Sequence, residues 1–360
     1  MAESVAVALS GGVDSAVSAA LLIEQGWDVI GVTMRLPQPA EALAPGSCCG
    51  EIGIRDARRV AESLGIYLLE LDCRTFFDYY VVETLCDAYA RGETPNPCVR
   101  CNRYLKFGYL LDVVRSQGIT YLASGHYANV QLTPAGWPVL SKGADAHHDQ
   151  SYFLYDIAPE RLQQLLFPLS KLTKQQVRQI AAQRQLPVAA KPGSQDICFV
   201  GEGGYTALLE SRRPEALVPG PIEDRAGRVL GQHRGVGRYT LGQREGLGIA
   251  APRPLYVVAI NAVRNTLVVA PQEEALIQEL SLERVRWLLE DVPPEPVDCG
   301  VKPRYRSPEL PATVTALPGE RALLRFRQAQ PPAAPGQSAV FYDGDRVTGG
   351  GIIAETRATH

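Results

Sequence analysis

Three short strings in this chain combine residue types that do chemistry. Ser10-Gly11-Gly12-Val13-Asp14-Ser15 sets two glycines, two hydroxyls and one carboxylate between an apolar run and a helical pattern. Glycines let backbone amides come close to a phosphate, the helix start adds the positive end of its dipole, and the serines add donors. An acid where an anion binds makes sense if a Mg2+ ion bridges Asp14 to the phosphates. No lysine follows in the G-x-x-x-x-G-K-[ST] pattern, so an ordinary kinase or GTPase loop is a poor match. The bland reading of the same residues is a glycine turn joining a strand to a helix.

The second string is Thr94-Pro95-Asn96-Pro97-Cys98-Val99-Arg100-Cys101-Asn102. Its prolines forbid a helix up to Pro97 and a helical pattern starts just after, which places Cys98 and Cys101 at or near a helix N-terminus. There the dipole stabilises a thiolate, and Arg100 and Arg103 close by in sequence predict a lowered thiol pKa. A structural zinc half-site or two buried thiols are the alternatives, although no second C-x-x-C exists to complete a zinc site. The third string, Ser194-Gln195-Asp196-Ile197-Cys198-Phe199, follows Lys191-Pro192-Gly193 and puts Cys198 on a loop leading into a short strand. Taken alone, Cys198 reads as a buried structural thiol. Cys48 and Cys49 are adjacent, and neighbouring side chains of an extended backbone would point to opposite sides, a poor geometry for one tetrahedral metal.

These strings need elements to position them. Ser4 to Leu9 is a β-favouring run, Asp14 to Gln25 has helical spacing closed by Gly26, and Trp27 to Met34 is the next strand. Ile54 to Leu64 and Phe76 to Arg91 read as helices around a strand at Ile66 to Leu71, with a further helix over Cys101 to Gln117 and a strand at Ile119 to Ser124. Strands alternating with helices predict a doubly wound parallel sheet of the α/β class. Val130 to Leu140 suggests a hairpin, and about 159–186 a helical appendage whose second helix opens on a Thr173-x-x-Gln176 capping box. From Gly201 onward glycine and proline become dense and the period falls toward two. The division expected is 1–200 for a nucleotide-binding catalytic domain with its appendage, 201–278 for a small β-rich middle domain, and 279–360 for a C-terminal β-barrel.

Length and composition fit this division. The chain has 360 residues, 46% of them hydrophobic and 21% charged, with a net charge of −3. That is more than one ordinary core of about 100–200 residues organises. No apolar stretch approaches the roughly 20 residues of a membrane span, and Glu3 with no basic run does not read as a signal peptide, so a cytoplasmic protein with no membrane partner is expected. The eight cysteines are too few for a small disulfide scaffold. Between Cys299 and Gln330 six basic residues (Lys302, Arg304, Arg306, Arg321, Arg325, Arg327) meet two acids (Glu309, Glu320), a candidate phosphate-binding face. Lys302, Arg304 and Arg306 alternate as they would on one face of a strand.

SGGVDS at the first strand–helix junction resembles the PP-loop ATP pyrophosphatase superfamily, with its adenine nucleotide alpha hydrolase-like fold. Together with TPNPCVRCN, SGHYA at 124–128, DQSYFL at 149–154, SQDICF at 194–199, GRYTLGQREGLG at 237–248, VKPRYR at 301–306 and PGQSAVFYDGD at 335–345, it resembles in order the tRNA-specific 2-thiouridylase family (MnmA/TrmU-type). The resemblance implies ATP-dependent 2-thiolation of the wobble uridine of tRNA, by adenylation of the uracil C2 oxygen and transfer of a persulfide sulfur. Ala8, Leu9, Ser10, Gly11, Gly12, Val13, Asp14, Ser15, Met34 and Gly125 would then bind ATP with Mg2+. Cys101 would be the nucleophile, and Cys198 would carry the persulfide and form a transient disulfide with Cys101. Asn96, Pro97, Cys98, His126, His148, Asp149, Gln150, Arg304, Tyr305, Arg306 and Gln337 fall where the family contacts tRNA. A cysteine desulfurase or sulfur-carrier protein is the implied donor, and a monomer the implied state.

The pattern departs at Cys98, where members of the family commonly carry Asp. The departure creates a three-thiolate set, Cys98, Cys101 and Cys198, which would suit a [4Fe-4S] cluster in an iron–sulfur version of the same thiolation. A PP-loop synthetase or amidotransferase on a small carboxylate would share the loop but has no use for the remote cysteines or a basic barrel. A non-catalytic RNA-binding protein would need the basic face and not the loop.

Overall fold

The structure is a computed structural model that describes residues 3–37, 50–192, 197–200 and 204–358. Cys48, Cys49, Gln195 and Asp196 lie outside those residues. The chain forms two compact units, one of residues 1–81, 98–202 and 345–347, the other of 82–97, 203–344 and 348–360.

The first unit is built on a five-stranded parallel sheet. β1 (Ser4–Ala8), β2 (Asp28–Arg35), β3 (Leu68–Asp72), β4 (Tyr121–Ala123) and, past an antiparallel hairpin of β5 (Ala128–Leu132) and β6 (Pro138–Lys142), β7 (Leu165–Leu166) take the order β3-β2-β1-β4-β7. β1 is buried along its centre, as a strand covered on both faces must be, and reads Val-Ala-Val there without polar alternation. α1 (Val13–Glu24) lays Ala16, Val17, Ala19 and Ala20 against the sheet; small side chains let it approach closely. α2 (Glu51–Leu64) is amphipathic and ends on Gly65 in the left-handed conformation, a standard helix stop. Within the segment expected to be helical over 159–186 lie the helices Pro159–Leu162 and Lys174–Gln183, and between them β7 joins the sheet. Val177 and Ala181 share one core cluster with Val5, Val7 and Val17.

Two further helical runs follow β3 and precede β4 in the chain. Residues 74–90 form one run with a π-helical centre at Asp78–Glu83, and residues 97–116 form another whose centre, Cys101–Leu110, is π-helical. Pro97 opens the second run, where its missing N–H costs nothing.

The second unit holds two β systems. β8 (Gly220–Glu223), β9 (Val229–His233), β10 (Leu255–Asn261) and β11 (Thr266–Pro271) form a sheet ordered β10-β11-β8-β9 around Ile222, Val257, Leu267 and Val269. β12 (Ile277–Trp287), β13 (Val297–Lys302), β14 (Leu310–Leu317), β15 (Arg321–Gln330), β16 (Ser338–Asp343) and β17 (Arg346–Ala358) follow in the order β12-β15-β14-β13-β16-β17. β12 also pairs β17 in antiparallel fashion, which closes a six-stranded barrel over Leu280, Val314, Leu324 and Phe341. Its three consecutive glycines, Gly349 to Gly351, make β17 look like a loop in sequence. In the barrel a Cβ on Gly351 would stand 2.8 Å from Val285 Cγ2, so the closing strands approach only because that side chain is missing. Segment 82–97 packs here, with Tyr89 stacked on Tyr205 at 4.1 Å and Arg213 bonded to Glu83 and Asp87.

Candidate active site

β1 is the strand at which the first sheet reverses its winding, with β2 on one side and β4 on the other. Such a reversal opens a crevice beyond the carboxyl ends of the two strands, where open α/β sheets bind ligands. The loop from Ala8 to Ser15 lies there. The Ser10 N–H donates to Ser15 Oγ at 3.2 Å, and Ser15 Oγ donates to the Gly12 carbonyl at 3.1 Å. Gly11 has φ +69°, and a Cβ on it would lie 2.2 Å from the Gly53 carbonyl oxygen at the start of α2. Gly125, just past β4, would carry its Cβ 2.8 Å from Asp14 C and Ser15 N. Both glycines are therefore demanded by packing that tightens the loop into a cradle. No side chain caps α1, so its first-turn amides are left for a ligand. Met34 is buried near the end of β2.

The cations that the loop lacks in sequence arrive from distant elements. Lys174 Nζ lies 2.6 Å from each oxygen of Asp14, and Tyr127 donates its hydroxyl to Asp14 Oδ1 at 2.8 Å. Burial, and then Asp14 itself, push the Tyr127 phenol well up, so it remains a donor. Lys191 Nζ donates to the Gly11 carbonyl at 3.0 Å and to Asp56 Oδ2 at 2.8 Å. Asp145 accepts from the Lys174 backbone N–H at 2.8 Å and pairs with His148 Nδ1 at 3.0 Å. Lys174, Lys191, Asp56 and Tyr127 escaped the sequence reading. One weak signal existed: Lys174 opens a helix whose first turn holds no acid, and a cation there opposes the helix dipole unless something external offsets it.

The thiols divide by environment. Cys98 is exposed in the first turn of its helix, Cys101 is buried at 8% exposure one turn on, and Cys198 is half-buried. Phe199, next to Cys198, meets Phe77 edge-on at 5.1 Å, and the short helix Arg74–Phe77 packs on the run that begins at Cys101. The short helix after Cys73 is thus the common neighbour of both cysteine segments. Burial, then Asp72 and Cys101, push the Cys73 thiol up to about 12. The two arginines nearest Cys101 in sequence also make contacts of their own. Arg103 Nη1 donates to both oxygens of Asp156 at 2.8 and 2.9 Å, Arg100 Nε donates to the Tyr80 carbonyl at 2.9 Å, and both guanidinium groups sit over Tyr104.

Among the described residues no three of His, Cys, Asp and Glu stand together as a metal site. Cys98, Cys101 and Cys198 are accordingly not gathered into such a group in this structure. Asp14 suits Mg2+ differently, because that ion keeps its waters and takes one or two carboxylates alongside substrate phosphates.

The residues singled out for tRNA fall into several settings. His126 is half-buried between Phe107 and Phe167, shares a 2.8 Å hydrogen bond with Ser124 Oγ, and is held well below the ordinary histidine value by burial and then Lys106. Asp149 is buried and accepts from Gly143 N, Ser151 N and Ser151 Oγ. Gln150 Oε1 accepts from Tyr127 N at 3.0 Å, so these two residues build the turn that holds Tyr127. Gln337 Nε2 donates to the carbonyls of Thr94 at 2.8 Å and Pro95 at 3.3 Å, and so braces the turn that leads into Asn96 and Pro97. Arg304 and Arg306 are exposed and Tyr305 is half-buried.

The basic face takes a different form from the one expected. β13 stops at Lys302, and the Arg304 carbonyl accepts from Ser307 in a turn, so Lys302, Arg304 and Arg306 do not share a strand face. Pro303 ends the ladder at that point because it has no N–H to give. Arg325 and Arg327 pair with Glu279 on β12 and with Asp298 on β13, acids that precede Cys299 in the chain.

Comparison with known proteins fits this arrangement of parts. Family models match residues 3–202 as a tRNA methyl transferase HUP domain, 206–271 as a tRNA methyl transferase PRC-barrel domain and 277–353 as an aminomethyltransferase beta-barrel domain. The chain is 46% identical over 353 residues to the tRNA-specific 2-thiouridylase MnmA of Magnetococcus marinus, covering 98% of this chain and 99% of that one. It is also 46% identical to the proteins of that name from Geobacter metallireducens, with 98% and 96% covered, and Chloroflexus aggregans, with 98% of each covered. Among the described residues no helix is long and apolar enough to cross a membrane.

Proposed function

This chain belongs to the tRNA-specific 2-thiouridylase family, and from that premise we propose how its own residues carry out the thiolation. It is an ATP-using tRNA-uridine 2-sulfurtransferase acting on the wobble uridine. The observation that carries the mechanism is the uncapped, glycine-tightened loop at the sheet's reversal point, held by two lysines, with both cysteine segments gathered around the short helix after Cys73.

The uracil C2 oxygen is a poor leaving group until it is esterified. In the first step it attacks the α-phosphorus of ATP, its N3 proton is lost, and pyrophosphate leaves. Residues Ala8 to Ser15 hold the nucleotide through first-turn amides and hydroxyls, which stabilise the charge that develops on the departing oxygens. Mg2+, when bound, supplies Lewis-acid stabilisation of the phosphates, and Asp14 is the residue that would hold it. The terminal sulfur of a Cys198 persulfide then attacks C2 and expels AMP. Cys101 as thiolate attacks the Cys198 sulfur, which forms a Cys101–Cys198 disulfide, leaves sulfur on C2 as the thiocarbonyl and lets N3 recover its proton. A cysteine desulfurase or carrier delivers the persulfide sulfur, and an external dithiol supplies the two electrons that reopen the disulfide. Gln337 acts here as a brace for the Asn96-Pro97-Cys98 turn, and Arg304, Tyr305 and Arg306 offer a cationic turn to the RNA backbone. The setting is the cytoplasm, where tRNA and ATP meet.

The test is a reconstituted reaction with unmodified tRNA, MgATP, cysteine and a cysteine desulfurase, read by mass spectrometry of nucleosides. Cys101→Ser and Cys198→Ser should each abolish 2-thiouridine while pyrophosphate release in a single turnover persists, because adenylation needs only the loop and an oriented base. Normal thiolation by either variant overturns the persulfide route.

A further inference from the structure

Asp14 is the acid that would take Mg2+, yet in this structure its carboxylate is already held by an ammonium. Lys174 Nζ sits 2.6 Å from both of its oxygens, and Oδ1 also accepts from Tyr127. A divalent cation and an ammonium cannot share one carboxylate at that distance without strong mutual repulsion, so an arriving metal–nucleotide must displace Lys174. The lysine backbone is fixed. Its N–H is bonded to Asp145, and it opens a helix closed by a full Thr173–Gln176 capping box. Only the four-carbon stem is left to move, and besides Asp145, which is held by its own backbone and His148 contacts, the phosphates over the same loop are the anions it can meet once Asp14 is taken.

Lys191 differs in kind. Its ammonium bonds a backbone carbonyl of the loop and the buried Asp56 carboxylate. It braces the loop from behind and has no partner that the nucleotide would claim.

We propose that Lys174 is a phosphate-contacting catalytic residue that neutralises Asp14 in the nucleotide-free enzyme and passes to the β- and γ-phosphates when Mg2+ takes Asp14, where it stabilises the departing pyrophosphate. Lys191 remains a positioning residue throughout. This role rests on the ATP-dependent reading above and deepens it: the lysine that a Walker loop carries in its own sequence is supplied here by a helix start on another part of the same unit.

The experiment uses the full-length protein and inorganic pyrophosphate as probe. In titration calorimetry with Mg2+ present, Lys174→Gln should weaken pyrophosphate binding about 10- to 100-fold, the range for one charge-assisted contact. KM for ATP should rise by a similar factor, affinity for tRNA should stay as in wild type, and Lys174→Arg should recover part of the loss. The Mg2+ concentration needed for half-maximal activity should fall, because the competitor for Asp14 is gone. Asp14→Asn gives a second measurement: with Mg2+ chelated it should bind pyrophosphate more tightly than wild type, since Lys174 is released to the anion. Wild-type pyrophosphate affinity in Lys174→Gln together with a raised Mg2+ requirement would overturn the proposal and make Lys174 a brace for Asp14. Wild-type protein that binds no Mg2+–pyrophosphate and forms 2-thiouridine without ATP would instead overturn the ATP-dependent reading itself.

Discussion

The loop from Ser10 to Ser15 carries one acid and no base, whereas the barrel segment from Cys299 to Gln330 carries six bases and two acids. Folding inverts that contrast. The loop gains Lys174 and Lys191 from elements far along the chain, while Arg325 and Arg327 of the barrel are matched by Glu279 and Asp298 on neighbouring strands. The charge of a site is therefore set by which elements cross there. In the loop each lysine meets a carboxylate at low exposure, where a pair is strong and its loss costly; in the barrel the paired arginines are more than half exposed, where a pair contributes little.

Variants can break or sharpen that contrast. The largest effect is expected from Gly11→Ala, which sets a methyl 2.2 Å from the Gly53 carbonyl at a left-handed backbone position. The loop must move, and ATP-dependent pyrophosphate release should fall by about 100-fold or more, as losing positioned donors does elsewhere. Wild-type release would show that the cradle tolerates rearrangement. Next is Lys191→Ala, which removes the near ammonium from Asp56, leaves it Arg59 at 3.7 Å and should lower unfolding free energy by about 1–2 kcal/mol in urea titrations. The Arg325→Gln/Arg327→Gln pair should change stability by less than about 1 kcal/mol in the same assay.

In the barrel, replacing Lys302, Arg304 and Arg306 with Gln should weaken tRNA binding and reduce the log–log salt slope by up to about 3, one for each phosphate lost. The Arg325/Arg327 pair should leave the slope unchanged. Equal effects of the two sets would mean that spatial pairing does not decide which cations reach RNA.

A smaller effect concerns stability against pH. Burial, opposed by a hydrogen bond to the Asn265 carbonyl, holds His233 below the ordinary histidine value of 6.5. Its Nε2 donates to that carbonyl and its Nδ1 accepts from Gly235 N, so the folded state wants it neutral. The unfolded chain takes the proton near 6.5 and the folded chain resists it, so stability is full above that pH and is lost as pH falls below it. The urea midpoint should drop from about pH 7.5 to pH 5.5, and less steeply in His233→Gln. The mildest readout is thiol labelling: Cys98, exposed, should react with iodoacetamide in the folded protein, whereas Cys73 and Cys299, each pushed up to about 12 chiefly by burial, should react only after unfolding.

Local chemistry made much of this visible in the sequence. The SGGVDS turn, the alternating strands and helices and the helix start at Pro97 are all written in contiguous residues, and so is the Thr173 cap. What escaped depends on approach between distant segments. Lys174 and Lys191 gain meaning only once their elements lie against the loop, and β17, with its run of glycines, reads as a strand only beside β12. The expected strand face of Lys302, Arg304 and Arg306 failed for a local reason, the proline that ends β13.

The seam between β12 and β17 also bears on how the barrel assembles. Ile277 meets Ala358 and Trp287 meets Gly349, so this seam joins the two most sequence-distant strands of the barrel, while β13–β14 and β14–β15 are neighbours along the chain. Hairpins between neighbours form in microseconds, but the seam must first give up the entropy of the whole intervening loop. Its closure is expected to be the late, slow step, read as a refolding phase that follows hairpin formation. Until it closes, both strands present bare edges of matching register, and at high concentration a second copy can offer its own β17 to the waiting β12. The kinetic hazard of this protein on refolding is therefore strand exchange at that seam.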